Sequence, residues 1–142
     1  MLYLASDHRG FKLKEKIREY LNKNKIDFSD LGAFKYNEND DYPDFAKILA
    51  LKVLENKNNL GIALCGSGAG MNIALNRFKN IRAGLALNSK MVEAQKQQDN
   101  INVLVIPSDF TKESTAYLMV DKFLKTKFLK KQKYLRRIKK LD

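Results

Sequence analysis

Cysteine is nearly absent: among 142 residues only Cys65 carries a thiol. A lone thiol cannot close an intrachain disulfide, so the chain is expected in a reducing compartment, the cytoplasm. Histidine is equally scarce, with His8 alone. No cluster of histidine, cysteine and acids at metal-ligand spacing occurs, and no metal is expected. Apolar residues never approach the roughly 20 in succession that a membrane span needs. The N-terminal apolar stretch, Leu2 to Ala5, soon meets Asp7-His8-Arg9 and is too short for a signal peptide. No repeat, linker or second unit is visible, so a single domain over 1–142 is expected.

Acidic residues are missing from one place in particular. Lys122 to Asp142 holds ten Lys or Arg and a single acid, so +9 of the net +11 sits there and the rest of the chain carries only +2. A near-neutral body with one basic segment, and no recognised nucleic-acid motif, argues against nucleic acid as a partner. Membrane is not an expected partner either. Residues 129–141 are expected to form a basic C-terminal helix. On it Lys133 and Arg137 lie one turn apart, on a face shared with Lys130 and Lys140.

What is present is a regular alternation of short apolar runs with longer helical periods. Leu2 to Ala5, Ile26 to Leu31, Leu60 to Cys65, Arg82 to Leu87 and Asn102 to Ile106 read as five strands. Between and after them the spacing predicts helices: one carrying Phe11, Ile17, Tyr20 and Leu21; one from an Asp44 cap through Leu54; then Met71 to Phe78, Lys90 to Gln98 and Lys112 to Lys125. Strands alternating with helices imply βαβ units, and strands apolar on both faces imply a sheet covered on both sides. The expected fold is α/β: a five-stranded parallel sheet in a three-layer αβα sandwich, Rossmann-like and doubly wound. Ligands of such folds bind beyond the carboxyl ends of the strands.

Two of those strand ends carry chemistry. Cys65-Gly66-Ser67-Gly68-Ala69-Gly70 joins the third strand to a helix, so several backbone N–H groups converge on a ready anion site. It is not a Walker loop, because no Gly-Lys-Ser/Thr follows. It is a poor dinucleotide fingerprint, because it does not follow the first strand. The helix N-terminus would lower the Cys65 pKa and burial would raise it. Ser6-Asp7-His8-Arg9-Gly10 follows the first strand; there Asp7 reads equally well as a helix cap and His8 as a surface histidine.

Taken together, Asp7-His8-x-Gly10, Asp41-Tyr42-Pro43, the Cys65–Gly70 loop and Asn102-Val103-Leu104 resemble ribose-5-phosphate isomerase B, in a family shared with galactose-6-phosphate isomerase subunits. The resemblance spans nearly the whole chain. It implies an aldose–ketose isomerase of the pentose phosphate pathway, working through an enediolate without cofactor. It further implies a homo-oligomer, dimer or tetramer, with sites shared between subunits. By the same resemblance Cys65 is the base, Ser67 assists at the reacting oxygens, and Gly66, Gly68 and Gly70 cradle the enediolate. Asp7 and Tyr42 line the sugar, and His8 holds the phosphate. Lys133 and Arg137 clamp that phosphate from a neighbouring subunit, and Asp99 is a further substrate-binding position. The sequence departs from the pattern where Gln98 replaces a histidine implicated in opening the sugar ring. It departs again where Pro107-Ser108-Asp109 replaces Gly-x-Arg, so that an acid would repel the phosphate. These departures leave open a hexose 6-phosphate of galactose or allose type as substrate, or a non-catalytic sugar-phosphate-binding paralogue.

Overall fold

The structure is a computed structural model and describes residues 1–141. Five parallel strands, β1 (Leu2–Ser6), β2 (Phe28–Asp30), β3 (Leu60–Cys65), β4 (Ala83–Leu85) and β5 (Val103–Pro107), form one sheet in the order β2-β1-β3-β5-β4. The helices are α1 (His8–Lys23), α2 (Tyr42–Leu54), α3 (Ala69–Leu75), α4 (Ser89–Asp99), α5 (Glu113–Lys125) and α6 (Gln132–Ile138). Among the described residues no helix is long and apolar enough to cross a membrane.

Successive strand residues point to opposite faces, and the apolar residues of the central strands therefore serve two cores. Leu2, Leu4, Ile62, Leu64, Leu104 and Ile106 meet Leu13, Ile17 and Leu21 of α1 and Met119, Val120 and Phe123 of α5. Ala5, Ala63, Cys65, Val103 and Val105 face the other way, under Leu49, Ala50 and Val53 of α2 and Met71 and Leu75 of α3. This is the doubly wound sandwich that the run pattern predicts. Its strand order reverses between β1 and β3, which lie side by side with Ser6 opposite Leu64. A crevice opens at such a switch point, at the carboxyl ends of the strands. Both chemistry-bearing turns, Ser6–Gly10 and Cys65–Gly70, leave the sheet there.

Several boundaries differ from the expectation. The chain reaches β2 through Lys25 at φ 55, and Ile26 N–H still donates to Leu21 O, so the strand starts only at Phe28. β4 pairs with β5 for just three residues, Ala83 to Leu85. Asp44 does not cap α2; Asp41 stands at the cap, Pro43 sits in the first turn where a missing N–H costs nothing, and Asp44 follows it. α3 stops at Leu75 because the Asn76 side chain turns back. Its amide donates to Asn72 O and Ala83 O, and its oxygen accepts from Ala83 N–H, tying the helix end to β4. α6 is shorter than 129–141. Leu129 N–H donates to Gln97 O and Lys130 takes φ 52, so no helix forms before Gln132. The basic segment is nevertheless docked: α6 packs on α4 and buries Tyr134.

Candidate active site

Cys65 ends β3 with only 4% of its surface exposed. Burial pushes its thiol up from the ordinary value, and the Asp7 charge adds to this. The N–H groups of Met71, Gly68 and Gly70 pull the other way by hydrogen bonding to the sulfur, which they would favour as thiolate. Gly68 makes the turn possible: its φ is +77, and a Cβ there would stand 2.8 Å from Leu85 Cδ1. Ser67 is exposed at the tip, and its Oγ accepts from Ala69 N–H at 3.3 Å. Its own hydroxyl proton remains available to a ligand.

The neighbouring turn is built on Asp7. This buried carboxylate caps α1 by accepting from Gly10 N–H at 2.9 Å. Burial pushes its pKa up, opposed by that same hydrogen bond. Asp7 is therefore the cap of α1 at the carboxyl end of β1. His8 is half-buried next to it. Asp40 Oδ1 accepts twice from His8, from the backbone N–H at 2.9 Å and from ring Nδ1 at 2.7 Å. The hydrogen bond to Asp40 raises the His8 pKa, with help from the Asp7 charge. Tyr36 stands edge-on to the imidazole, 6.2 Å between centroids. Asp40 belongs to the loop before α2, where the sequence singled out its neighbour Asp41 and not Asp40 itself. Its pairing spans 32 positions, and no local pattern signals it.

Two aromatic and basic side chains close over the glycine turn. A Cβ at Gly70 would lie 2.8 Å from the Tyr42 ring, so the ring rests directly on that residue. A Cβ at Gly66 would lie 2.4 Å from Arg9 Nε, so the Arg9 side chain covers Gly66. Arg9 is ion-paired with Asp109, whose backbone N–H donates to Gly66 O at 3.0 Å. This corrects the expectation for Asp109. The acid does not present a bare negative charge to the site, because a guanidinium from α1 neutralises it. Neither the pairing, across 100 positions, nor a role for Arg9 was legible in the sequence.

The structure thus places Asp7, His8, Cys65, Gly66, Ser67, Gly68 and Gly70 at the neighbouring carboxyl ends of β1 and β3, with the Tyr42 ring against Gly70. It places three others elsewhere in the same chain. Asp99 is exposed at the end of α4, where it lines a cavity of about 710 Å³ with Arg77, Arg82, Ile101 and Leu141, at the amino ends of the strands. Gln98 precedes it, also exposed. Lys133 and Arg137 are exposed on α6, and Lys133 Nζ stands 5.1 Å from the centroid of the Tyr134 ring. Among the described residues no group of three or more His, Cys, Asp or Glu is arranged to hold a metal ion.

A doubly wound parallel sheet with a buried thiol opening a glycine-rich turn at its switch point defines a Rossmann-like α/β protein of the kind that binds small molecules there. Comparison with known proteins narrows this. The family model described as Ribose/Galactose Isomerase matches residues 2–141. The probable ribose-5-phosphate isomerase B of Mycoplasma genitalium is 41% identical over 128 residues, 89% of this chain and 84% of that one. The crystal structure of a ribose 5-phosphate isomerase from Thermotoga maritima superposes with a TM-score of 0.95 at 40% identity, covering 99% of this chain and 96% of that one. That of the M. genitalium ribose-5-phosphate isomerase B, with ribulose-5-phosphate bound, gives 0.93 at 40% identity over 99% and 92%. The chain belongs to the ribose/galactose isomerase family.

Proposed function

We propose that this protein interconverts ribose 5-phosphate and ribulose 5-phosphate, with Cys65 as the base. The observation that carries the reading is the buried sulfur at the end of β3, where the strand enters the Gly66–Gly70 turn. The reaction moves one carbon-bound proton and creates a transient oxyanion. In the open-chain aldose the Cys65 thiolate takes the proton from C2. The electron pair left behind forms the C1–C2 double bond, and the carbonyl electrons move to O1. The amides of the 66–70 turn stabilise that oxygen, a contribution of roughly 3–4 kcal/mol for a preorganised donor. The Ser67 hydroxyl passes the proton from O2 to O1. Collapse of the enediolate returns the Cys65 proton to C1 and leaves the ketose.

Asp7 and Tyr42 bound the sugar, and His8 holds the phosphate, whose remote binding orients C2. Asp99, Lys133 and Arg137 lie away from the Cys65 turn of their own chain, which supports a site shared between the subunits of a cytoplasmic dimer or tetramer. Arg9 keeps the rim from repelling the substrate. Arg9→Ala would leave Asp109 uncompensated beside Gly66, and KM for ribose 5-phosphate is expected to rise about tenfold with a smaller change in kcat. Asp109→Asn added to that variant should recover most of the loss in steady-state kinetics.

The reading is tested by assaying the purified protein in D2O with ribose 5-phosphate and, in parallel, several hexose 6-phosphates. Formation of ribulose 5-phosphate with solvent deuterium at the reacting carbon is expected. Turnover of a hexose 6-phosphate alone would change the substrate and keep the proton transfer. Tight binding with neither turnover nor deuterium uptake would replace the enzyme reading with a binding module.

A further inference from the structure

Asp40 has a place in this site that the reaction itself does not require. It lies in the loop before α2, and its side chain is 10% exposed. One oxygen, Oδ1, is filled by the two His8 donors; the other, Oδ2, is buried with no hydrogen-bond partner. Among the described residues His8 is its sole ion-pair partner. A carboxylate with so little water and one neighbouring titratable ring is a built counter-charge rather than a solvated loop residue.

We propose that Asp40 is a positioning residue that makes substrate phosphate binding depend on the charge of His8. The inference rests on His8 being the phosphate ligand. A carboxylate can only accept, so His8 Nδ1 must carry a proton whenever the 2.7 Å bond exists. The neutral ring held this way has its lone pair on Nε2 and would face a phosphate oxygen with no donor. Only the imidazolium donates from both nitrogens, one to Asp40 and one to the phosphate. Asp40 also favours that imidazolium, and Asp7 on the β1–α1 turn acts in the same direction. Tyr36 meets the ring by its edge, and the adjacent Arg9 is directed to Asp109. The device therefore fixes the ring's orientation, its tautomer and its charge through one oxygen atom. It ties the loop before α2 to the phosphate end of the site.

His8 is the single histidine of the chain, so its ring gives one unambiguous set of resonances in a 15N–1H correlation experiment. In the unaltered protein the high-pH ring should be the Nδ1–H tautomer, and its titration should lie above the ordinary histidine value of about 6.5. Asp40→Asn keeps the shape and an acceptor but removes the charge, and its amide can donate to Nδ1. Its His8 titration should fall and its neutral ring should shift toward Nε2–H. KM for ribose 5-phosphate should then rise about tenfold at pH 8, yet by less than about twofold at pH 5.5, where the ring is charged in both proteins. Asp40→Thr, which retains an acceptor for the His8 N–H, should behave alike and serves if the asparagine variant does not fold. An unmoved His8 titration, or a KM increase equal at both pH values, would overturn the proposal. His8→Ala measured in parallel separates the two readings: unchanged KM in that variant removes His8 from the phosphate and leaves the Asp40–His8 titration result standing by itself.

Discussion

Cys65→Ala is expected to lower kcat for ribose 5-phosphate by roughly 10²–10⁴-fold, the range a positioned general base supplies. KM should change little, because the sulfur meets the substrate only at the reacting carbon while the phosphate and the turn amides hold it elsewhere. The fold should tolerate the change, because an alanine keeps an apolar side chain at this position of the core beneath α2 and α3. Unchanged turnover would remove Cys65 from the mechanism. The variant has a second use. If Lys133 and Arg137 serve the neighbouring subunit, refolding inactive Cys65→Ala together with an inactive Arg137→Ala variant should regenerate activity, because a mixed dimer has one intact site. No recovery on mixing would place both functions in one chain.

The same reading sets the pH dependence. Catalysis needs Cys65 as thiolate and His8 as imidazolium, and both pKa values are raised, the first by burial and the second by the bond to Asp40. Below the His8 pKa the ring is already charged, and kcat/KM should climb with pH as thiolate accumulates. Between the two values, gain of thiolate offsets loss of imidazolium, and the profile should be flat. Above the Cys65 pKa only the loss of imidazolium remains, and the rate should fall. The limbs of this bell report the two groups in reverse order of their roles, which Asp40→Asn would reveal by moving the acid-side break to lower pH and lowering the plateau, while the alkaline break stays in place.

The second large effect concerns the fold beneath the site. Gly10→Ala is expected to destabilise the protein by about 3 kcal/mol, the upper end for overpacking, and to lower Tm by roughly 10 °C. A Cβ at Gly10 would lie 2.6 Å from Leu64 O and 2.7 Å from its carbonyl carbon. Those are backbone atoms of the central strand β3 and cannot rotate away, so α1 would have to lift from the sheet. That movement would carry Asp7 and His8 with it, and activity should fall along with stability. Gly61→Ala is the control. The three atoms nearest its Cβ would be side-chain methyl groups of Val53, Leu49 and Val103, at 3.1–3.2 Å. Those groups can shift by a few tenths of an ångström, so thermal unfolding should change much less. Equal losses in the two variants would refute the role given to the α1–β3 contact.

Much of this architecture was legible before any coordinates. The cores of β1, β3 and β5 fall where the apolar runs lie, because burial on both faces demands apolar residues at consecutive positions, and that demand is local. The Cys65–Gly70 turn was legible for a similar reason: a strand end, a helix start and the glycines between them occupy adjacent positions. Helix boundaries were less so. Asn76 ends α3 through Ala83, and Lys130 delays α6 by its backbone conformation, neither of which leaves a trace in hydrophobic period.

What the chain alone determined, then, is the set of elements and the two turns that hold its one thiol and its one histidine, since periodicity and glycine spacing act over a few residues. What only the tertiary structure decided is who stands beside them. Asp40 reaches His8 across 32 positions and Asp109 reaches Arg9 across 100, brought together because β1, β2 and β5 are parallel and end at the same edge of the sheet. The charge a side chain meets is a property of that edge. Asp109, which read in sequence as a repulsive acid, is in the folded protein the partner that holds a cation over Gly66.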